Sequence, residues 1–213
     1  MTIKIGDRPV SERPHCYFIA EAGTNHNGSL ELAKLLIDVA VTAGVDAVKF
    51  QKRNINDIIT QDALDQPYLS HMALGTTYGE HRRRLELSNE DYRELVEYCK
   101  AKNITFLASA WDIKSADFIE TLGVPAYKIA SADVTNLPLI EHVAKKRKPV
   151  ILSTGMSTLE EVDTAVETIK KHTNDLIVLH CTSAYPFDNQ YANLNVIRTL
   201  KKKIRFSSGL FWS

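Results

Sequence analysis

Along most of the chain, short apolar runs of strand length alternate with stripes of apolar positions at helical spacing. The first such unit is residues 17–51, YFIAEAGTNHNGSLELAKLLIDVAVTAGVDAVKFQ. Residues 17–20 form an apolar strand that ends on the carboxylate of Glu21. The polar loop 23–28 follows, and Ser29 is placed to cap a helix. In that helix Leu32, Leu35, Leu36, Val39, Ala40 and Ala43 make one stripe, predicted to be its buried face. Gly44 stops it, because a left-handed residue after a helix costs least when it is glycine. Residues 45–51 are the next strand, with Lys49 among Ala47, Val48 and Phe50. A strand, helix and strand in so short a stretch predict a right-handed crossover and parallel strands.

The rhythm resumes after residue 87. Ser88 caps a helix with Tyr92, Leu95, Val96 and Cys99 on one face, and residues 104–109 are a strand. A helix through Phe118, Ile119 and Leu122 ends at Gly123, and residues 124–131 form a strand carrying a second internal lysine, Lys128. Pro138 suits the first turn of a helix containing Leu139, Ile140, Val143 and Ala144. Residues 149–154 are a strand, and Ser157 with Glu160 is the expected capping box of a helix with Leu159, Val162, Val166 and Ile169. Residues 176–182 are a sixth strand; Leu194, Ile197 and Leu200 mark a sixth helix; residues 204–208 begin a seventh strand.

Two stretches break the pattern. Ahead of Pro14, Ile3, Ile5 and Val10 flank Gly6-Asp7 as a short hairpin would. Residues 52–87 lack clear periodicity and are expected to be a lid or binding loop, with His81-Arg82-Arg83-Arg84 mostly a solvated basic turn. No low-complexity stretch or linker interrupts the chain, so residues 1–213 are expected to be one domain. Regular alternation means α/β with a parallel sheet, either doubly wound or a (β/α)8 TIM-type barrel. The barrel is here incomplete, with about six βα units and part of a seventh strand.

Charge changes the picture mainly by exclusion. Lys and Arg number 26 against 26 Asp and Glu, so net charge gives no case for nucleic acid or an anionic membrane as partner. No apolar run has the length of a membrane span, and the first ten residues lack a signal-peptide pattern. Cys16, Cys99 and Cys181 are odd in number, widely spaced and in apolar segments, as expected of reduced core thiols in a cytoplasmic protein.

The candidate chemistry lies at strand ends. Glu21 and Lys49 fall at the carboxyl ends of their strands, the edge where parallel α/β folds bind ligands. A lysine within an apolar strand costs free energy unless an anion meets it, and an internal Glu–Lys pair would serve as well as a site. In a barrel, Lys49 and Lys128 on strands two and four share an interior layer, which favours the barrel and a dianionic ligand. Ser109, Ser131 and Ser153 at the ends of strands three, four and five would complete a phosphate cradle.

IAEAGTNHNGS, VDAVKFQ, AYKIASADVTNLPLI, PVILSTGMSTLEEV and LHCTSAYP together resemble the sialic acid synthase family, the N-acetylneuraminate synthases and their legionaminate and pseudaminate relatives. The resemblance implies a (β/α)8 barrel that condenses phosphoenolpyruvate with an N-acetylhexosamine aldehyde, such as N-acetylmannosamine, to a nonulosonic acid and phosphate. It implies that Lys49 and Lys128 clamp phosphoenolpyruvate, with hydrogen bonds from Ser109, Ser131 and Ser153. Gln51, Ser183 and Tyr185 would face the sugar, Asp133 takes an acidic position where some members carry Glu, and Glu21 is a further acid or base. It also implies a homodimer and a divalent metal, manganese or magnesium, acting as a Lewis acid. The family's metal-binding histidines belong to an SDH- or SGH-type and an ERH-type motif, and neither occurs here; His180 belongs to another position. The C-terminal antifreeze-like domain is also absent, and residues 206–213 resemble what a frameshift or premature stop would leave. The chain is therefore expected to be inactive alone. The alternatives are a truncated barrel that binds phosphoenolpyruvate or self-associates without turnover, and a 3-deoxy-octulosonate or 3-deoxy-heptulosonate phosphate synthase. The latter would show a further basic site for a second phosphate.

Overall fold

A computed structural model describes residues 3–10, 16–184, 186, 188–204 and 208–210. They fall into two compact units, residues 18–124 and residues 1–17 with 125–213. The second of these is discontinuous in the chain.

The chain enters on the predicted hairpin. Strands β1 (Ile3–Ile5) and β2 (Arg8–Val10) pair antiparallel, with Ile3 opposite Val10 and Ile5 opposite Arg8. Ile3 and Ile5 are buried while Lys4 between them is exposed, the two-residue alternation of a strand with one covered face.

In residues 18–124, strand β3 (Ile19–Gly23) leads to helix α1 (Leu30–Thr42) and strand β4 (Ala47–Lys52). Helices α2 (Ile55–Ile58), α3 (Gln61–Leu64) and α4 (Tyr78–Arg84) follow, then α5 (Asn89–Ala101), strand β5 (Thr105–Ala110) and helix α6 (Ile113–Thr121). The strands are parallel in the order β3-β4-β5, with Glu21 opposite Lys49, Lys49 opposite Leu107 and Gln51 opposite Ser109. Glu21 lies inside β3, not beyond its end, because pairing runs on to Gly23 across an irregularity after Glu21. The expected structureless loop after β4 is three short helices and an isolated bridge between Pro67 and Thr77.

The buried face of α1 shares only Ala40 with the predicted one. Ala33, Ile37 and Ala40 are buried, whereas Leu32, Leu35 and Val39 are 44, 56 and 59 % exposed. The helix is apolar around more than half its circumference, so its sequence offers two stripes. The small side chains of one let α1 lie close to β3, β4 and α5. Helix α5 behaves as expected: Tyr92, Leu95, Val96 and Cys99 are buried, and Ser88 forms a capping box with Asp91. Its thiol, Cys99, is pushed up to about 12 by burial. Cys181 is buried too, but Cys16 is exposed, against the expectation of three core thiols.

In the other unit, strand β6 (Tyr127–Ile129) is followed by helix α7 (Leu137–Lys145), strand β7 (Val150–Ser153), helix α8 (Leu159–Lys170), strand β8 (Leu176–His180), helix α9 (Val196–Ile204) and strand β9 (Ser208–Leu210). These strands are parallel in the order β6-β7-β8-β9. Strand β6 is shorter than predicted: Pro125 has no N–H to give to a ladder, and Ser131 opens a 3-10 turn. The capping box of α8 is Thr158 with Glu161, one residue later than predicted. The seventh strand also starts later, since Ile204 is still helical. Leu139, Ile140, Val143 and Ala144 of α7 and Val162, Val166 and Ile169 of α8 are buried as the periodicity predicts, but Leu159, at the start of the α8 stripe, is 42 % exposed.

Candidate active site

In residues 18–124 the parallel register gathers four of the predicted residues. Lys49 is 3 % exposed, between the fully buried Val48 and Phe50. Its ammonium forms an ion pair with Glu21 and donates to Ser109 Oγ at 3.2 Å. Gln51 Nε2 donates to Glu21 Oε1 at 3.1 Å, while Arg53 Nη2 donates to Gln51 Oε1 and the Tyr92 hydroxyl donates to the Gln51 carbonyl at 2.5 Å. Both ends of the Gln51 amide and its backbone are therefore fixed. The ion pair is asymmetric, because the Glu21 side chain is 32 % exposed against 4 % for Lys49. Glu21 therefore keeps part of its hydration, which limits the desolvation cost that a buried pair otherwise carries.

Glycines let the loop after β3 close on this cluster. Gly23 has φ +54, and a Cβ there would lie 3.0 Å from Glu21 Oε1 and 3.3 Å from Gln51 Nε2. Gly28, at φ +79, presses on the end of α4, where a Cβ would stand 2.0 Å from the Arg84 carbonyl oxygen. Between them His26 is buried, and its Nδ1 accepts from Gly28 N–H at 3.1 Å. Burial lowers its pKa, which keeps the imidazole neutral at pH 7.

In residues 125–213 the predicted residues form a second group. Lys128 is 4 % exposed and donates to the Ile129 carbonyl at 2.9 Å. Ser131 Oγ accepts from Gly155 N–H at 3.0 Å. Gly155 allows a close approach: a Cβ there would lie 2.2 Å from Ser183 Oγ and 3.0 Å from Ser131 Oγ. Two hydroxyls and a backbone N–H thus meet around one glycine, Gly155. Ser153, at the end of β7, is buried, and among the described residues its hydroxyl has no hydrogen-bond partner. Buried hydroxyls are normally satisfied, which sets this one apart. Asp133 is buried in the 3-10 turn at 131–133. Tyr185 lies outside the described residues. His180 Nε2 is hydrogen-bonded with the Ala192 carbonyl at 2.7 Å.

Sequence reading missed Arg53, whose guanidinium stacks on Trp111 at 4.6 Å and reaches Gln51. Its only sequence signal was a position two residues beyond Gln51. As for a metal, no group of three or more His, Cys, Asp or Glu side chains gathers among the described residues. The donors among the described residues do not fit a divalent ion.

Comparison with known proteins fits this arrangement. The NeuB family matches residues 36–211. Human N-acetylneuraminate-9-phosphate synthase is 40 % identical over 187 residues, covering 88 % of this chain and 52 % of the human protein. N,N'-diacetyllegionaminic acid synthase of Legionella pneumophila is 39 % identical over 210 residues, covering 96 % of this chain and 59 % of the relative. The crystal structure of the N-acetylneuraminic acid synthetase of Leptospira borgpetersenii superposes with a TM-score of 0.87 at 33 % identity, over 99 % of this chain and 69 % of that one. The fold is therefore of (β/α)8 barrel type, incomplete, with six strand–helix units and a short seventh strand among the described residues. The chain belongs to the NeuB family, that of the sialic acid, legionaminic acid and pseudaminic acid synthases its motifs resemble. It spans about half the length of the curated relatives it matches.

Proposed function

We propose that the chain carries the phosphoenolpyruvate-binding part of a nonulosonic acid synthase. One observation supports this above the rest: a buried lysine, Lys49, sits between a part-solvated carboxylate and the Ser109 hydroxyl, in register with Gln51 one pleat further on. Lys49 and Ser109 bind the phosphoenolpyruvate anion, and their motif positions give Lys128, Ser131 and Ser153 the same ligand. Gln51 and Ser183, with Tyr185, hold an N-acetylhexosamine aldehyde, and Asp133 orients it.

In the reaction C3 of phosphoenolpyruvate forms a bond to the aldehyde carbon, and the aldehyde oxygen takes up a proton. Water then adds its oxygen to the cationic C2 and gives up a proton, for which Glu21 is the acceptor in reach of Lys49 and Gln51. Cleavage between C2 and the bridging oxygen then releases phosphate, the C2 hydroxyl passes its proton to the departing phosphate, and the 2-keto group is left. A divalent metal, manganese or magnesium, belongs to the family's reaction; its ligands would have to come from outside the described residues. Homodimer formation is part of the same reading. A second reading is that this chain binds phosphoenolpyruvate without turning it over. Phosphate release from phosphoenolpyruvate and N-acetylmannosamine with manganese separates the two. We expect calorimetric binding of phosphoenolpyruvate but no sugar-dependent release of phosphate. Release by this chain alone would rule out the binding-only reading, and absence of binding would rule out both.

A further inference from the structure

The loop between β3 and α1 is built around a side chain that the condensation leaves unused, His26. Tight turns run through it in succession: Asn25 N–H donates to the Ala22 carbonyl at 3.0 Å, Asn27 N–H to the Thr24 carbonyl at 3.1 Å and Ser29 N–H to the His26 carbonyl at 2.9 Å. Asn27 and Gly28 are consecutive left-handed residues, φ 50 and 79, a conformation that persists where the surroundings hold it. The imidazole supplies that hold. Its Nδ1 accepts from Gly28 N–H at 3.1 Å, and the Gly23 backbone hydrogen-bonds to the same ring. One side chain thereby ties the last residue of β3 to the entrance of α1. The ring is 1 % exposed, and its centroid lies 6.0 Å from that of Phe50, the residue between Lys49 and Gln51 on β4. Gly23 packs directly on the Glu21–Gln51 hydrogen bond, so the closure of this loop sets how that pair is held. Glu21 is in turn the ion-pair partner of Lys49.

The hold works in one protonation state. Nδ1 accepts from Gly28 only while the ring is neutral; an imidazolium carries a proton on both nitrogens, which sets donor against donor at Gly28 N–H. Burial favours the neutral ring first, the Gly23 hydrogen bond opposes it, Arg53 beyond β4 reinforces it and Asp91 on α5 opposes it. The balance lies below the ordinary 6.5, so the ring is neutral at pH 7 and takes up a proton as pH falls below 6.5. We propose that His26 is a positioning residue of the candidate active site: as a neutral acceptor it closes residues 23–28 onto Glu21 and Gln51, and its protonation releases them. It acts through Gly23 rather than on a substrate. The inference rests on the roles given to Glu21 and Gln51 above, and its test separates the two.

Calorimetric titration of phosphoenolpyruvate between about pH 8 and about pH 5 would compare the parent chain with His26→Gln and His26→Leu. NMR of the Gln51 side-chain amide would follow the same samples. Gln keeps a neutral acceptor at every pH, whereas Leu keeps apolar volume and loses the acceptor. At the upper pH His26→Leu should bind phosphoenolpyruvate about tenfold more weakly, the factor to which one hydrogen bond converts, and its Gln51 signals should shift. His26→Gln should stay within about threefold of the parent there. As pH falls below 6.5 the parent should lose a further factor of about ten relative to His26→Gln. Both proteins meet the same titrating phosphate, so that difference belongs to His26. An equal acid loss in the parent and His26→Gln overturns the positioning role, as do unchanged affinity and unchanged Gln51 signals in His26→Leu. Should His26→Leu fail to fold, the parent against His26→Gln carries the test alone. If the parent binds no phosphoenolpyruvate at any pH, while its Gln51 signals follow acidification and those of His26→Gln do not, the positioning role stands and the condensation reading falls. Phosphoenolpyruvate binding that Lys49→Met abolishes, with Gln51 signals indifferent to His26, keeps that reading and sinks the positioning role.

Discussion

Replacing Lys49 with Met separates a ligand-binding lysine from a structural one, because the two roles predict losses of different size. The substitution removes the ammonium that pairs with Glu21 and donates to Ser109, and keeps an unbranched apolar stem between Val48 and Phe50. Breaking a fully buried ion pair by removing one partner costs about 3–5 kcal/mol, chiefly because the other charge is stranded. Glu21 is not stranded: its side chain is 32 % exposed and it keeps the Gln51 hydrogen bond at 3.1 Å. Solvation of that carboxylate cuts the penalty, and the buried ammonium's own desolvation cost disappears, so stability should fall by only about 1 kcal/mol. A hydrogen bond from an ammonium to an anionic ligand contributes about 1.5–3 kcal/mol, so phosphoenolpyruvate affinity should fall about 10- to 150-fold. Calorimetric titration gives the affinity and a urea melt on the same samples gives the stability. Unchanged affinity would make Lys49 structural. A stability loss above about 3 kcal/mol would show that Glu21 is less well solvated than its exposure indicates, and the magnitude argument would fail.

Gly28→Ala combines a positive φ with a Cβ 2.0 Å from the Arg84 carbonyl, and should cost about 2–4 kcal/mol in a urea melt; a loss under about 1 kcal/mol would mean the loop after β3 yields freely. Glu86 has its pKa raised above the ordinary 4.5, first by burial and against the lowering pull of Arg53 and Lys52. The folded state therefore holds its proton more tightly than the unfolded chain, so its contribution is full below pH 4.5 and fades as pH rises through the raised value. Glu86→Gln should accordingly gain stability relative to the parent as pH rises from 4.5, and a pH-independent difference between the two melts would contradict the assignment. Leu35→Lys and Val39→Lys act on side chains 56 and 59 % exposed; they should lower the scattering mass of the purified chain while changing its unfolding free energy by less than about 0.5 kcal/mol. Unaltered self-association would acquit that stripe.

How much of this was legible in the chain depends on whether a feature is local. The order of strands and helices follows from short apolar runs alternating with helical stripes, and the buried set of α5 follows from one stripe on an otherwise polar helix. Motif order carried the family, and with it Lys49, Gln51 and Ser109, which parallel register then brought to neighbouring positions. The hairpin of β1 and β2 was legible from Gly6-Asp7 between apolar positions. Other features depended on what lies across from a residue. Helix α1 offers two apolar stripes, and only packing against β3, β4 and α5 selected the one with small side chains. The capping box of α8 moved by one residue because Ser157 and Thr158 are both competent caps, and the backbone path into the helix chose Thr158. Arg53, Trp111 and Glu86 come from three separate segments, so nothing in their spacing pointed to their meeting. Tertiary structure stacked one on another and left two donors of Arg53 unmade. A pattern along the chain reports periodicity, which the backbone imposes locally. Which face is covered, and which charges and rings meet, are set by neighbours distant in sequence.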